Sequence, residues 1–176
     1  MEFASRAALP HLGGMVEKLR DRILNAGPGG VERPHTREEM RDWAAAVDLD
    51  AVDLGGFCSF REECYARNPV LKNEHLELVV ICWKAGQKSP VHDHGVSNCL
   101  YVVTGGTMAE EIYESTGEPG VVRLVESRDW GRGESTIADG PTIHRVCNNS
   151  GENLVTIHLY SPPLPNPPNT FEVSGA

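Results

Sequence analysis

Apolar and polar positions follow two regimes along this chain. In the first, Met15, Leu19 and Ile23, with Leu12 and Val16, recur at the spacing of a helical face, while Glu17, Lys18, Arg20, Asp21 and Arg22 fall on the other side. Gly27-Pro28-Gly29-Gly30 ends that helix. A second helix starts at Thr36, where Thr36-Arg37-Glu38-Glu39 has the form of a capping box. Its apolar stripe of Met40, Trp43, Ala44 and Val47 reads as a face that packs on a sheet. Residues 48–70 read as loop.

From residue 75 the period changes to short β-rich runs separated by Gly, Pro, Asn and Asp: Leu76–Trp83, Asn98–Thr104, Met108–Tyr113, Val121–Glu126, Ser135–Ile137, Ile143–Cys147 and Leu154–Tyr160. Many short strands with polar turns predict a mainly β fold, a sandwich or barrel, with short N-terminal helices. Gly105-Gly106, Gly133-Glu134 and Asn148-Asn149-Ser150-Gly151 read as hairpin turns. The proline-rich tail Ser161 to Pro168 cannot continue a ladder and is expected to wrap the barrel in extended form.

Composition narrows the function classes. The 176 residues suit one domain with a sizeable core, helical over about 1–47 and barrel over about 70–163. A net charge of -9 without a basic cluster argues against nucleic acid or an anionic membrane as partner. No apolar run reaches membrane-spanning length, and the N-terminus lacks the apolar core of a secretory signal. Five cysteines without CxxC spacing argue against a disulfide framework or a zinc ribbon. A cytoplasmic monomer with reduced thiols is expected.

The candidate chemistry lies in Gly86 to Gly106, GQKSPVHDHGVSNCLYVVTGG. His92 and His94 are one residue apart, so on a strand both imidazoles face the same side and form half of a metal site. His75, His144 and His158 are the histidines in the β-rich part that could complete it. Neutral imidazole suits Fe, Zn, Cu and Ni. A lone His on a strand is ordinarily a plain core or surface residue, so the pair alone does not establish a site.

Gly86-x5-His92-x-His94-x4-Cys99-x6-Gly106 resembles the first cupin motif, with Cys99 where most cupins place a glutamate, and Gly133-x5-Asp139-x-Pro141-x2-His144-x3-Asn148 resembles the second, with Asp139 and Pro141 in place of the usual residues. ICWKAGQKSPVHDHGVSNC, IHRVCN and IHLYSPP together resemble the thiol dioxygenases of the cupin superfamily, and among them the cysteine dioxygenases, over roughly residues 60–163. The resemblance implies a small jelly-roll β-barrel holding Fe(II) on His92, His94 and His144, with no organic cofactor. It implies oxidation of L-cysteine by O2 to cysteine sulfinate, a step of cysteine catabolism.

The resemblance also assigns side chains. CYARNPV matches the segment that binds the substrate carboxylate, which puts Arg67 on the carboxylate and Tyr65 beside it. A guanidinium suits a carboxylate through its planar fork. Relatives that oxidise 3-mercaptopropionate usually carry glutamine at the position of Arg67, so Arg67 favours cysteine. Thr156, His158 and Tyr160 would form a hydrogen-bonded row ending in a hydroxyl near the metal, and Trp83 would stand near the site with packing as its main role. Animal-type members carry a cysteine at the position of Cys99, joined by a thioether to the tyrosine matched by Tyr160. A Cys99–Tyr160 crosslink is therefore expected here, and Ser161-Pro162 is expected as a candidate cis peptide. The alternatives are a dioxygenase of another small thiol, such as 3-mercaptopropionate, and a non-catalytic metal-binding cupin.

Overall fold

A computed structural model describes residues 33–46, 49, 54–165 and 167–175. The helix expected over Leu12 to Ile23 lies outside the described residues, as does Val47.

The described chain opens with helix α1 (Arg37–Ala46) and a short 3-10 turn at Gly55–Phe57. Nine strands follow: β1 (Ala66–Lys72), β2 (Glu77–Trp83), β3 (Asn98–Gly105), β4 (Met108–Ser115), β5 (Val121–Trp130), β6 (Ser135–Ala138), β7 (Ile143–Cys147), β8 (Leu154–Ser161) and β9 (Glu172–Val173). They form one sheet of order β1-β2-β8-β3-β6 and a second of order β7-β4-β5-β9. This mainly β arrangement with one short helix is the cupin architecture expected above.

The capping box forms as its residues demand. The Glu39 carboxylate accepts from the Thr36 backbone N–H at 2.8 Å, and the Thr36 hydroxyl accepts from the Glu39 N–H at 3.3 Å. Arg33 pairs with the same carboxylate. The helix then lays Met40 and Trp43 on the outer face of the five-stranded sheet, against Leu78, Val80, Cys82, Leu100, Val102, Ile157 and Leu159. Burying a side chain of the size of Met40 contributes about 1.5–3 kcal/mol. The opposite face of that sheet packs Val79, Ile81, Trp83, Cys99, Tyr101 and Tyr160 into the barrel interior with Met108 and Val146. Both faces of β2 are therefore covered, which is why all of its residues are buried and its sequence is continuously apolar after Glu77.

Two expectations change. Residues 66–70, read as loop, form a strand that contains Pro69. Strand β1 lies at the edge of its sheet, where a residue without an N–H is tolerated. The turns at 105–106, 133–134 and 148–151 are not hairpins. Each joins strands of different sheets (β3 to β4, β5 to β6, β7 to β8) and so forms a barrel corner. Turn residues show that the chain reverses, but not which sheet the next strand joins. At Gly106, φ is +82° and a Cβ would stand 2.6 Å from Asn153 O, so the corner requires glycine. The hairpins that do pair in sequence are β1–β2 and β4–β5.

Glu39 gives the fold an acid-sensitive contact. Arg33, followed by the Thr36 backbone N–H, holds its carboxyl down at about 2, below its ordinary 4.5. A depressed carboxyl stabilises the fold above its unfolded value and loses that contribution as pH falls through the folded one. The stability difference between wild type and Glu39→Gln is therefore expected to be full above pH 4.5 and to close by about pH 2, as read by urea unfolding at the two extremes.

Candidate metal centre

The segment carrying His92 and His94 is not the regular strand expected for an HxH pair. It runs in extended form beside β7 through isolated bridges at Lys88 and His92. The N–H of His92 donates to His144 O and the N–H of His144 to His92 O, both at 2.9 Å. The His94 N–H donates to Gly140 O at 2.8 Å. Gly140 permits this approach, because a Cβ there would run into Gly95 O. The two-residue spacing still turns both rings to one side, and His144 comes from β7 to meet them, with ring centroids 4.7 to 5.1 Å apart.

His92, His94 and His144 each offer a ring nitrogen, and these atoms lie within 4.8 Å of one another. Hydrogen bonds behind the rings set the tautomers. His92 Nδ1 lies 3.0 Å from Pro90 O, a pure acceptor, so Nδ1 carries the proton. His144 Nδ1 lies 3.2 Å from the Glu110 carboxylate and 3.1 Å from the Tyr101 hydroxyl, which itself donates to Glu110. Both rings thus turn an unprotonated Nε2 inward. His94 Nε2 lies 3.1 Å from His144 Nε2. Two ligands at right angles on one ion, each at a bond length of about 2.1 Å, would be about 3 Å apart. Burial, reinforced by neighbouring His144, holds His92 down at about 4 and His94 at about 2, so both are neutral ligands. The donor set therefore fits a metal ion of the imidazole-binding group.

Beside the imidazoles runs a polar chain. Trp83 Nε1 donates to Thr156 Oγ1 at 3.0 Å, Thr156 Oγ1 lies 2.9 Å from His158 Nε2, and His158 Nδ1 lies 3.3 Å from the Tyr160 hydroxyl. Arg67 donates to that hydroxyl at 3.4 Å. Indole and guanidinium are donors only, so they polarise the chain from both ends. Thr156 receives from Trp83, and its own hydrogen has two acceptors in reach, His158 Nε2 at 2.9 Å and Ile81 O at 3.5 Å. Burial, then Cys99, pushes the Tyr160 phenol well up, so it is a neutral donor, and burial pushes His158 well down.

Arg67 also donates to Glu77 at 3.0 Å, and its guanidinium stands 5.3 Å from the Tyr160 ring centroid. Burial opposes its charge, but Tyr160 and Glu77 outweigh that and raise its pKa. Tyr65 stacks on Trp83 at 4.4 Å. Cys99 is fully buried, opposite Tyr160 in the β3–β8 register, with Sγ 3.8 Å from His158 Nδ1. Burial raises its thiol well above the ordinary value. An inner cavity of about 20 Å³ is lined by the three histidines, Arg67, Tyr65, Trp83, His158 and Tyr160. It adjoins a cleft of about 590 Å³ that shares Tyr65, Arg67 and His92, and one wall of the cleft is the proline-rich tail. The tail was expected to run over the barrel surface; it lines the mouth of the site.

Of the residues that the family resemblance gave a role in the site, His92, His94, His144, Arg67, Tyr65, Trp83, His158 and Tyr160 line this cavity, and Thr156 and Cys99 stand against His158. His75, a further candidate to complete the histidine pair, instead lies beside Glu74 in the turn before β2. Glu110, Tyr101, Glu77 and Lys72 were missed. The signal for Glu110 was alternation: it shares a strand face with Met108, so an inward carboxylate needed a partner. Tyr101 similarly shares a face with Cys99.

The fold recurs among solved structures. The protein TT1209 from Thermus thermophilus superposes with a TM-score of 0.54 at 22% identity, over 63% of this chain and 95% of that one. The cupin domain of Schizosaccharomyces pombe Cnp3 gives 0.51 at 11% identity, over 64% and 73%. The chain thus has the cupin fold. Within that class the model of the family cysteine dioxygenase type I matches residues 35–172, and the chain belongs to this family. Cysteine dioxygenase type 1 of Danio rerio is 31% identical over 137 residues, covering 72% of this chain. The match spans 66% of the length of that relative.

Glu110 supports His144 without reaching the cluster of ligand atoms. Glu110→Gln is expected to weaken divalent metal binding about ten- to a hundredfold, measured by competition with a chromophoric chelator.

Proposed function

We propose that this protein is a cytoplasmic Fe(II)-dependent cysteine dioxygenase that converts L-cysteine and O2 to cysteine sulfinate. The observation that most supports the reading is that the three-histidine cluster, Arg67 and the Tyr160 hydroxyl line one small cavity. His92, His94 and His144 would hold a ferrous ion, which would supply the redox chemistry between O2 and a thiolate. Both oxygen atoms end on sulfur, so the thiol reaches the sulfinate level with no external reductant.

This chain's side chains bind and orient the substrate. Arg67 takes the carboxylate, with its fork steadied by Glu77 and Tyr160. Tyr160 donates its hydroxyl hydrogen to the bound reactants, while Arg67 donates to its oxygen. His158 and Thr156 hold that orientation from behind, and Trp83 anchors the row and walls the cavity with Tyr65.

Oxygen uptake by iron-loaded protein is expected to be fastest with L-cysteine, ahead of cysteamine and 3-mercaptopropionate, with the product two oxygen atoms heavier. Preference for 3-mercaptopropionate would overturn the substrate, and no uptake with any thiol would overturn the activity.

The Cys99–Tyr160 pair supports a further step of the same reading, a thioether between Sγ and the tyrosine ring. The thiol hydrogen and one ring hydrogen are lost, and two electrons pass to O2. Intact mass after extended turnover is expected to fall by two hydrogens in wild type and to stay constant in Cys99→Ala.

A further inference from the structure

Three charged side chains line the outer cleft among the described residues: Arg67, Lys72 and Glu77. Their placement depends on an irregularity in β1. Arg67 pairs in register with Ile81 and Pro69 with Val79, and Ile81 and Val79 belong to the interior face of β2. Lys72 lies five positions after Arg67, and in a regular strand an odd spacing would turn it to the opposite face, under α1. The register shifts between Pro69 and Leu71, so Val70 is an extra residue and the alternation is reset. Lys72 then pairs with Glu77, which in turn pairs with Tyr160 across β8, and Tyr160 pairs with Cys99 across β3. The bulge thus places Lys72 in the same transverse row as Glu77, Tyr160 and Cys99.

Glu77 bridges the two cations. Its Oε1 accepts from Arg67 at 3.0 Å and its Oε2 accepts from Lys72 at 2.9 Å. The Glu77 side chain is 11% exposed, whereas that of Lys72 is 55% exposed. An ion pair as open as Lys72–Glu77 contributes little to stability. Its electrostatic consequence at the cleft is larger. Arg67 with Glu77 alone is neutral, so an incoming carboxylate would meet no surplus charge and would stand close to a second carboxylate. Lys72 restores one net positive charge, two cations against one carboxylate.

We infer that Lys72 is a specificity-determining residue for the substrate carboxylate and that Glu77 is a positioning residue for Arg67. Glu77 fixes the guanidinium fork, and Lys72 cancels the charge that this fixing brings in, leaving one unit of positive charge for a substrate carrying one carboxylate. The inference rests on the reading that Arg67 receives that carboxylate.

The test is anaerobic calorimetric titration of iron-loaded protein with L-cysteine and with cysteamine, which lacks the carboxylate. Lys72→Met keeps the aliphatic stem and removes the charge. It is expected to weaken L-cysteine binding about threefold to tenfold at low ionic strength, less in high salt, and to leave cysteamine unchanged. Glu77→Gln keeps an acceptor for Arg67 and removes the opposing charge. The double variant Lys72→Met/Glu77→Gln restores one net positive charge, so its L-cysteine affinity is expected to return to within about twofold of wild type. A Lys72→Met variant that binds L-cysteine as wild type does, or that loses both thiols equally, overturns the inference. So does a double variant weaker than Lys72→Met alone. Arg67→Met separates the two levels. If it weakens L-cysteine selectively while Lys72→Met does not, the inference falls and the reading of Arg67 stands. If Arg67→Met shows no selectivity, or wild type binds neither thiol, that reading falls and the inference with it.

Discussion

Two backbone hydrogen bonds between His92 and His144, each 2.9 Å long, hold the site together. They tie the irregular segment after Pro90 to β7, and with the His94–Gly140 bond they fix where three imidazoles from two distant stretches can meet. The constraint is on the backbone, so ring positions do not depend on the rings' own contacts. It requires close approach of the chain at Gly140 and Gly95, which any Cβ at Gly140 would block. Side-chain hydrogen bonds then choose which nitrogen each ring presents: Pro90 O behind His92 and Glu110 behind His144.

The five-stranded sheet separates two environments. On one face α1 and aliphatic side chains form an apolar layer. On the other, polar groups form a connected row, buried from Trp83 through Thr156 and His158 to Tyr160 and opening through Arg67 and Glu77 to the half-exposed Lys72. A buried polar group without a partner is costly, so the row is stable only because each member satisfies the next. Its ends differ. The Trp83 end is fully buried, whereas the Lys72 end opens into the cleft. Hydrogen-bond direction and charge are thus set deep in the barrel and at its rim, and both bear on the same cavity.

Seven of the nine strands were legible as apolar runs, with starts within one residue and ends up to four residues short, because alternation and turn residues are local signals. Strand β1 carries no regular alternation, because its register shifts between Pro69 and Leu71, and β9 is a two-residue contact too short to carry a pattern. Among site residues, His92, His94, His144, Arg67, Tyr160 and Cys99 stood in motifs with defined spacing. Glu110 and Glu77 did not. Glu110 stands among other acidic residues of β4, with only its alternation with Met108 to mark it, and Glu77 opens an apolar strand; packing shows that both are buried.

The class of fold, the helix cap at Thr36 and the His92–His94 pair were legible along the chain, since each depends on residues a few positions apart. Tertiary structure decided which turns are corners, which edge accepts a proline, and which carboxylates stand behind His144 and Arg67. Those outcomes rest on the meeting of segments many residues apart, such as the stretch after Pro90 with β7, and on a one-residue bulge in β1 that reverses which side of the sheet Lys72 faces. A local pattern carries no record of such meetings, and a single inserted residue inverts every facing it would otherwise predict.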